Sequence, residues 1–69
     1  MRDMTPKQAE VLAYIKEYKL VYGYPPTRTE ISREFRWSSP NAAQEHLLAL
    51  EKRGALVLTP RVARGIRVD

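Results

Sequence analysis

The sequence contains no cysteine and a single histidine, His46. Without thiols there is neither a disulfide framework nor a thiolate metal site, and one imidazole cannot assemble a zinc site alone, so no metal is expected. No apolar run approaches the roughly 18 residues of a membrane span. The N-terminus, Met1-Arg2-Asp3-Met4-Thr5-Pro6, lacks the apolar core of a secretory signal. The expected compartment is therefore the cytoplasm, with no membrane partner. At 69 residues the chain reads as one domain, 1–69, able to bury only about 60% of its unfolded surface. A core that encloses a small-molecule substrate is out of reach. Internal repeats, low-complexity tracts and a second-domain boundary are also missing.

Charge is present, and unevenly placed. The net charge is +4. Residues 1–35 carry six basic and five acidic side chains, whereas 36–69 carry six basic and three acidic. Between Lys52 and Arg67 stand five basic residues and no acid. Such a stretch is attracted to backbone phosphates through counterion release, although a basic tail that keeps a small protein soluble has the same count.

Helix signals divide the first two thirds. Thr5-Pro6-Lys7-Gln8 has the form of a capping box with proline at the first helical position. Val11, Leu12, Ile15, Tyr18 and Tyr22 recur behind it at helical spacing, and Gly23-Tyr24-Pro25-Pro26 ends the run, predicting a helix over 6–22. Thr27-Arg28-Thr29-Glu30 is a second capping box, opening a helix over 28–35 with Ile31 and Phe35 inward. After Arg36-Trp37-Ser38, Ser39 is placed to cap a third helix that starts at Pro40 and runs to Lys52 or Arg53, where Gly54 supplies a left-handed end. The last two helices with their tight connection form a helix-turn-helix.

The third helix has two different faces. Ala43, Leu47 and Leu50 gather on one side; Asn41, Gln44, Glu45 and Lys52 gather on the other. Short amides and carboxylates are the side chains that pair with base edges in a major groove, Asn or Gln with adenine and Glu with cytosine N4. A solvated polar face has the same composition. Beyond Gly54 the period changes to two: Ala55 to Thr59 and Gly65 to Val68 read as strands with Leu56, Leu58, Ile66 and Val68 inward and a turn over Pro60 to Arg64. A lone hairpin is marginal, so it should pack on the helices. The expected fold is mainly α (α+β), a three-helix winged helix-turn-helix with a two-stranded antiparallel wing, Arg61 and Arg64 near its tip and Arg67 on the return strand.

The set Thr5, Gln8, Glu10-Val11, Ile15, then Gly23-Tyr24-Pro25-Pro26-Thr27-Arg28-Thr29-Glu30-Ile31, then Ser39-Pro40-Asn41-Ala42-Ala43-Gln44-Glu45-His46-Leu47, and Arg64-Gly65-Ile66 resembles the DNA-binding domain of the LexA family, the bacterial SOS repressors. The resemblance covers nearly the whole chain and far exceeds a generic helix-turn-helix signature. It implies double-stranded DNA as partner, with Ser39, Asn41, Ala42, Gln44 and Glu45 at base-contacting positions. It also implies Arg28, Lys52, Arg53 and Arg64 near the phosphates, and Thr27 and Arg61 complete that expected backbone set. Three departures accompany it. Gln44 stands where the family commonly has Glu, an amide that donates as well as accepts. Arg36 stands where the family usually has Gly, at a cost if its φ is positive, although its side chain could also reach a phosphate. The sequence also stops at Asp69, so the linker, cleavage site, Ser/Lys self-cleaving protease domain and dimer contacts implied by the family are not expected.

Other residues carry plainer readings. His46 beside the packing face is expected to be structural, set against the first or second helix. Tyr14, Tyr18 and Tyr22 at i, i+4, i+8 are expected in the core rather than on a base-stacking platform. Glu30 is accounted for by its capping box, and no nucleophile or metal partner accompanies Glu30 and Glu34, so neither an enzyme nor a cofactor is expected. Leu48 is an apolar residue on the outer face of the third helix, suited to a thymine methyl or a second protein chain. The expectation is a small bacterial or phage transcriptional regulator of repressor type. Reading about half a site, it needs tandem sites, a dimer or a fusion partner. The competing class is a phage-type modulator that binds a repressor, a polymerase subunit or itself through the same faces. Salt dependence separates the two.

Overall fold

Two threonines set where the helices begin. Thr5 Oγ1 accepts from the Gln8 backbone N–H while Gln8 Oε1 accepts from Thr5 N–H, both at 3.1 Å, at the start of α1 (Pro6–Tyr22). Thr27 and Glu30 repeat the arrangement at 3.1 and 2.8 Å ahead of α2 (Arg28–Glu34). Both capping boxes agree with the sequence, and each satisfies two amides the first turn would otherwise leave open. The third helix, α3 (Pro40–Lys52), starts at its proline as expected, but Ser39 makes no side-chain cap. Its backbone carbonyl instead accepts from the buried hydroxyl of Ser32 at 2.9 Å, tying α2 to the start of α3. The computed structural model describes residues 4–68. It continues with β1 (Val57–Leu58) and β2 (Ile66–Arg67).

The core draws on every element. Val11, Leu12 and Ile15 of α1, Ile31 of α2, and Ala43, Leu47 and Leu50 of α3 meet Leu56, Ile66 and Val68 from the hairpin. Full burial of a leucine or isoleucine removes it from water at a gain of roughly 1.5–3 kcal/mol, which in a chain this short gives each core position a large share of the stability. Tyr22 departs from its expected place: it is 56% exposed, and Tyr14 and Tyr18 are only half-buried. The buried residues of α1 stop at Ile15, and of the residues after it in α1 only Tyr18 is partly covered. The tyrosine rings pack on one another instead, Tyr18 tilted against Tyr22 at 4.4 Å and Tyr22 stacked on Tyr24 at 6.3 Å.

The strands form an antiparallel ladder with Val57 opposite Arg67 and Leu58 opposite Ile66. Leu56, Ile66 and Val68 face inward, Leu58 is half-buried, and Val57 and Arg67 face out. This is the alternation expected, on a shorter ladder than 55–59 and 65–68. At the start of the hairpin the Ala55 N–H is taken by Leu50 O of α3 at 2.9 Å and so is not free for the ladder, while within β1 the Leu58 N–H donates to the Glu51 carboxylate at 3.0 Å. At the far end Thr59 N–H donates to Gly65 O at 2.7 Å. A Cβ on Gly65 would lie 2.6 Å from Thr59 O and 3.0 Å from Val62, so only glycine closes this loop.

Candidate nucleic-acid interface

The connection between α2 and α3 is a helix end followed by an aromatic stack. Arg36 N–H donates to Arg33 O at 3.2 Å and Trp37 N–H to Ser32 O at 2.8 Å, the paired bonds of a Schellman motif with Arg36 at its left-handed position, φ 60°. The positive φ on which a cost at Arg36 depends is present. Trp37 lies between Phe35 and His46, stacked at 5.0 and 4.5 Å. His46 Nδ1 is 3.0 Å from Ala42 O, so that nitrogen carries a proton. The imidazole has a structural place, stacked on the turn tryptophan and bonded to its own helix. The stack and the Ser32 hydroxyl together fix how α3 leaves the turn.

What α3 shows outward is its first half. Ser39, Asn41 and Glu45 are exposed, and Ala42 and Gln44 are half-buried. Among the described residues the Ser39 and Asn41 side chains make no hydrogen bond, which leaves both for another molecule. Gln44 is engaged: the Arg28 Nε–H donates to its Oε1. Leu48 stands on the same outer side at 48% exposure. The residues expected to contact bases therefore lie together along one short stretch beside the α2–α3 turn.

The basic residues divide into two groups. Lys52 and Arg53 are exposed at the end of α3, and Arg61 is exposed in the wing loop with φ 65°. Thr27, expected near a phosphate, accepts the Glu30 N–H with its hydroxyl oxygen at the α2 cap. Arg64 differs most from its expectation as a wing-tip contact. Its guanidinium donates to both Glu30 oxygens at 2.8 and 2.9 Å and to Pro25 O at 2.8 Å, and lies over the Tyr24 ring at 4.5 Å. Tyr18 Oη adds a bond to Glu30 at 3.1 Å. The Arg64 guanidinium, then the Thr27 amide and the Tyr18 hydroxyl, hold the Glu30 carboxyl down at about 2. Burial is the main cause that raises the hydroxyls of Tyr14 and Tyr18.

Glu30 is thus the residue the sequence reading left incomplete. It closes the capping box and also pins the wing to the start of α2. The only signal available was that Glu30 and Arg64 both fall in the motif segments, 34 positions apart, a separation no local pattern connects. Among the described residues, no three potential metal-ligating side chains gather, and no helix is long and apolar enough to cross a membrane.

Known proteins match this sequence along almost its full length. The model of the LexA DNA binding domain matches residues 1–65. A LexA repressor of Pseudomonas chlororaphis is 54% identical over 68 residues, covering 99% of this chain and 34% of that protein. One from Ectopseudomonas mendocina (strain ymp) is 54% identical with 33% of its length covered, and LexA repressor 1 of Pseudomonas putida is 53% identical with 34% covered. The chain spans about a third of the length of these curated relatives. With the helix-turn-helix, the clasped wing and the motif residues all in place, the chain belongs to the LexA DNA-binding domain family.

Proposed function

We propose that this domain binds duplex DNA sequence-specifically as the reading module of a transcriptional repressor. The N-terminal half of α3 enters the major groove and the wing runs beside the backbone. The observation that carries the reading is the outward stretch Ser39–Glu45, held by the Ser32 hydroxyl and the Trp37 stack on a helix whose opposite face is core. Base edges are met by Ser39, Asn41, Ala42, Gln44 and Glu45. Phosphates are met by Lys52, Arg53 and Arg61 with the charge of Arg28 and the backbone near Thr27, while Arg64 acts by placing the wing. One module reads about half a site, so tight binding uses two copies or a fused partner. The membership in a repressor family supports this over a module that binds only protein, and the cytoplasm is where such a regulator meets its DNA.

The test is an unbiased duplex selection followed by titration. Asn41→Ala should cost about 1–3 kcal/mol on the selected site and far less on random duplex. Binding should weaken steeply with salt. Equal losses on both duplexes, or a flat salt dependence, would remove the interface from α3.

A further inference from the structure

We infer that Arg28 is a positioning residue for Gln44, and that the two side chains form a donor-rich reading head selecting a base with major-groove acceptors at one position of the site. The inference rests on the reading that α3 lies in the major groove. An arginine side chain has five N–H donors and no acceptor. The Gln44 atom facing Arg28 Nε is therefore its carbonyl oxygen, whichever way an amide would otherwise be turned. The Nε2 amide group is directed away from the guanidinium, and what remains most available on Gln44 is a pair of donors.

Bidentate reading of adenine by a glutamine uses both the oxygen and the nitrogen. With the oxygen committed to Arg28, that mode is weakened. The Arg28 Nη groups have no carboxylate partner among the described residues, and an amide does not neutralise them. The pair keeps a full positive charge and presents mostly N–H groups, with a single remaining lone pair on Gln44 Oε1. Guanine offers O6 and N7 as acceptors, thymine offers O4, and cytosine offers the N4 donor that this head would oppose. A carboxylate at position 44 would reverse the result, since an Arg–carboxylate pair is neutral and its second oxygen accepts from cytosine N4. The reading preference at this position therefore depends on a side chain of α2, Arg28 at its first residue, as much as on α3 itself.

Duplex selection with the unaltered chain, Gln44→Glu and Arg28→Met, with base frequencies read position by position, tests this. The unaltered chain should enrich guanine or thymine at one position, by about tenfold over cytosine. Gln44→Glu should move that position toward cytosine and leave the others unchanged. Arg28→Met should admit adenine there by freeing the Gln44 amide to turn, again without changing the other positions. An unaltered chain that enriches cytosine or adenine at every position sensitive to Gln44→Glu overturns the inference. So does an Arg28→Met profile identical to the unaltered one with affinity lowered uniformly, which would leave Arg28 a phosphate contact only. A chain that enriches no sequence at all defeats the DNA-binding reading itself, a result distinct from either.

Discussion

Arg36→Gly should make the domain more stable, and the molecule supplies its own control. The C-terminal ends of α2 and α3 are the same Schellman motif: Arg36 and Trp37 donate to Arg33 and Ser32, and Gly54 and Ala55 donate to Glu51 and Leu50. The left-handed position holds Arg36 at φ 60° in one and Gly54 at φ 80° in the other. A side-chain-bearing residue there costs roughly 1–2 kcal/mol, and introducing glycine costs back about 0.5–1 kcal/mol in chain entropy. The difference predicts a gain of about 0.5–1 kcal/mol for Arg36→Gly. No Arg36 side-chain hydrogen bond or ion pair among the described residues is lost to offset it. For a domain of this size that is a rise in Tm of roughly 2–8 °C. The reciprocal Gly54→Ala should lower stability by a similar amount, because nothing lies within 4 Å of a Cβ built there and only the backbone conformation opposes it. Urea and thermal unfolding of the two variants with m-values compared are the assay. A drop in stability for Arg36→Gly at unchanged m would refute the reasoning, by showing that the Arg36 side chain contributes more than its backbone costs.

Three further outcomes follow from the wing and the outer face. Gly65→Ala should cost about 1–3 kcal/mol, and amide exchange should show the Thr59 N–H opening first; a neutral substitution would mean the loop shifts freely. The Glu30 carboxyl is lowered from its ordinary 4.5 to about 2, so its stabilisation is complete above pH 4.5 and is lost as pH falls toward 2. Unfolding curves of the unaltered protein and Glu30→Gln should accordingly converge across that window, and a separation independent of pH between 6 and 2 would place the stabilising effect elsewhere. Specific binding should depend on half-site spacing: moving one half-site by about five base pairs puts the second copy on the far side of the duplex. Loss of that dependence in Leu48→Lys alone would place Leu48 in the contact between copies, and equal affinities on both spacings would rule out cooperation.

The helices were legible because their signals are local. Thr5 with Gln8 and Thr27 with Glu30 lie three residues apart, within reach of one turn, and the apolar spacing of Ala43, Leu47 and Leu50 follows from the helical period. The same local logic misplaced Ser39, since the sequence shows a residue able to cap but not that the Ser32 hydroxyl already anchors its carbonyl. Tyr22 was misread for a related reason: the period of α1 says which side it occupies, but not that the buried residues of α1 stop at Ile15. The outward stretch 39–45 was legible as a face. Its internal pairing of Arg28 with Gln44, and the removal of Arg64 from the exposed charges by Glu30, are contacts between elements, and nothing in the local pattern encodes them.

Those contacts converge on α2, a helix of seven residues too short to persist alone. Glu30 on its first turn accepts from Thr27, Tyr18 and Arg64, so one carboxylate caps the helix, bonds α1 and fixes the wing. Ser32 holds the start of α3, and Arg28 holds Gln44 on its outer face. A two-stranded wing is marginal without support, and a reading helix is useful only if its angle to the wing is constant. The shortest helix is therefore the one that sets the relative position of α3 and the wing, the two elements proposed to meet DNA. Geometry on that scale matters because a displacement of about 1 Å is enough to spoil hydrogen bonds of 2.7–3.2 Å to base edges.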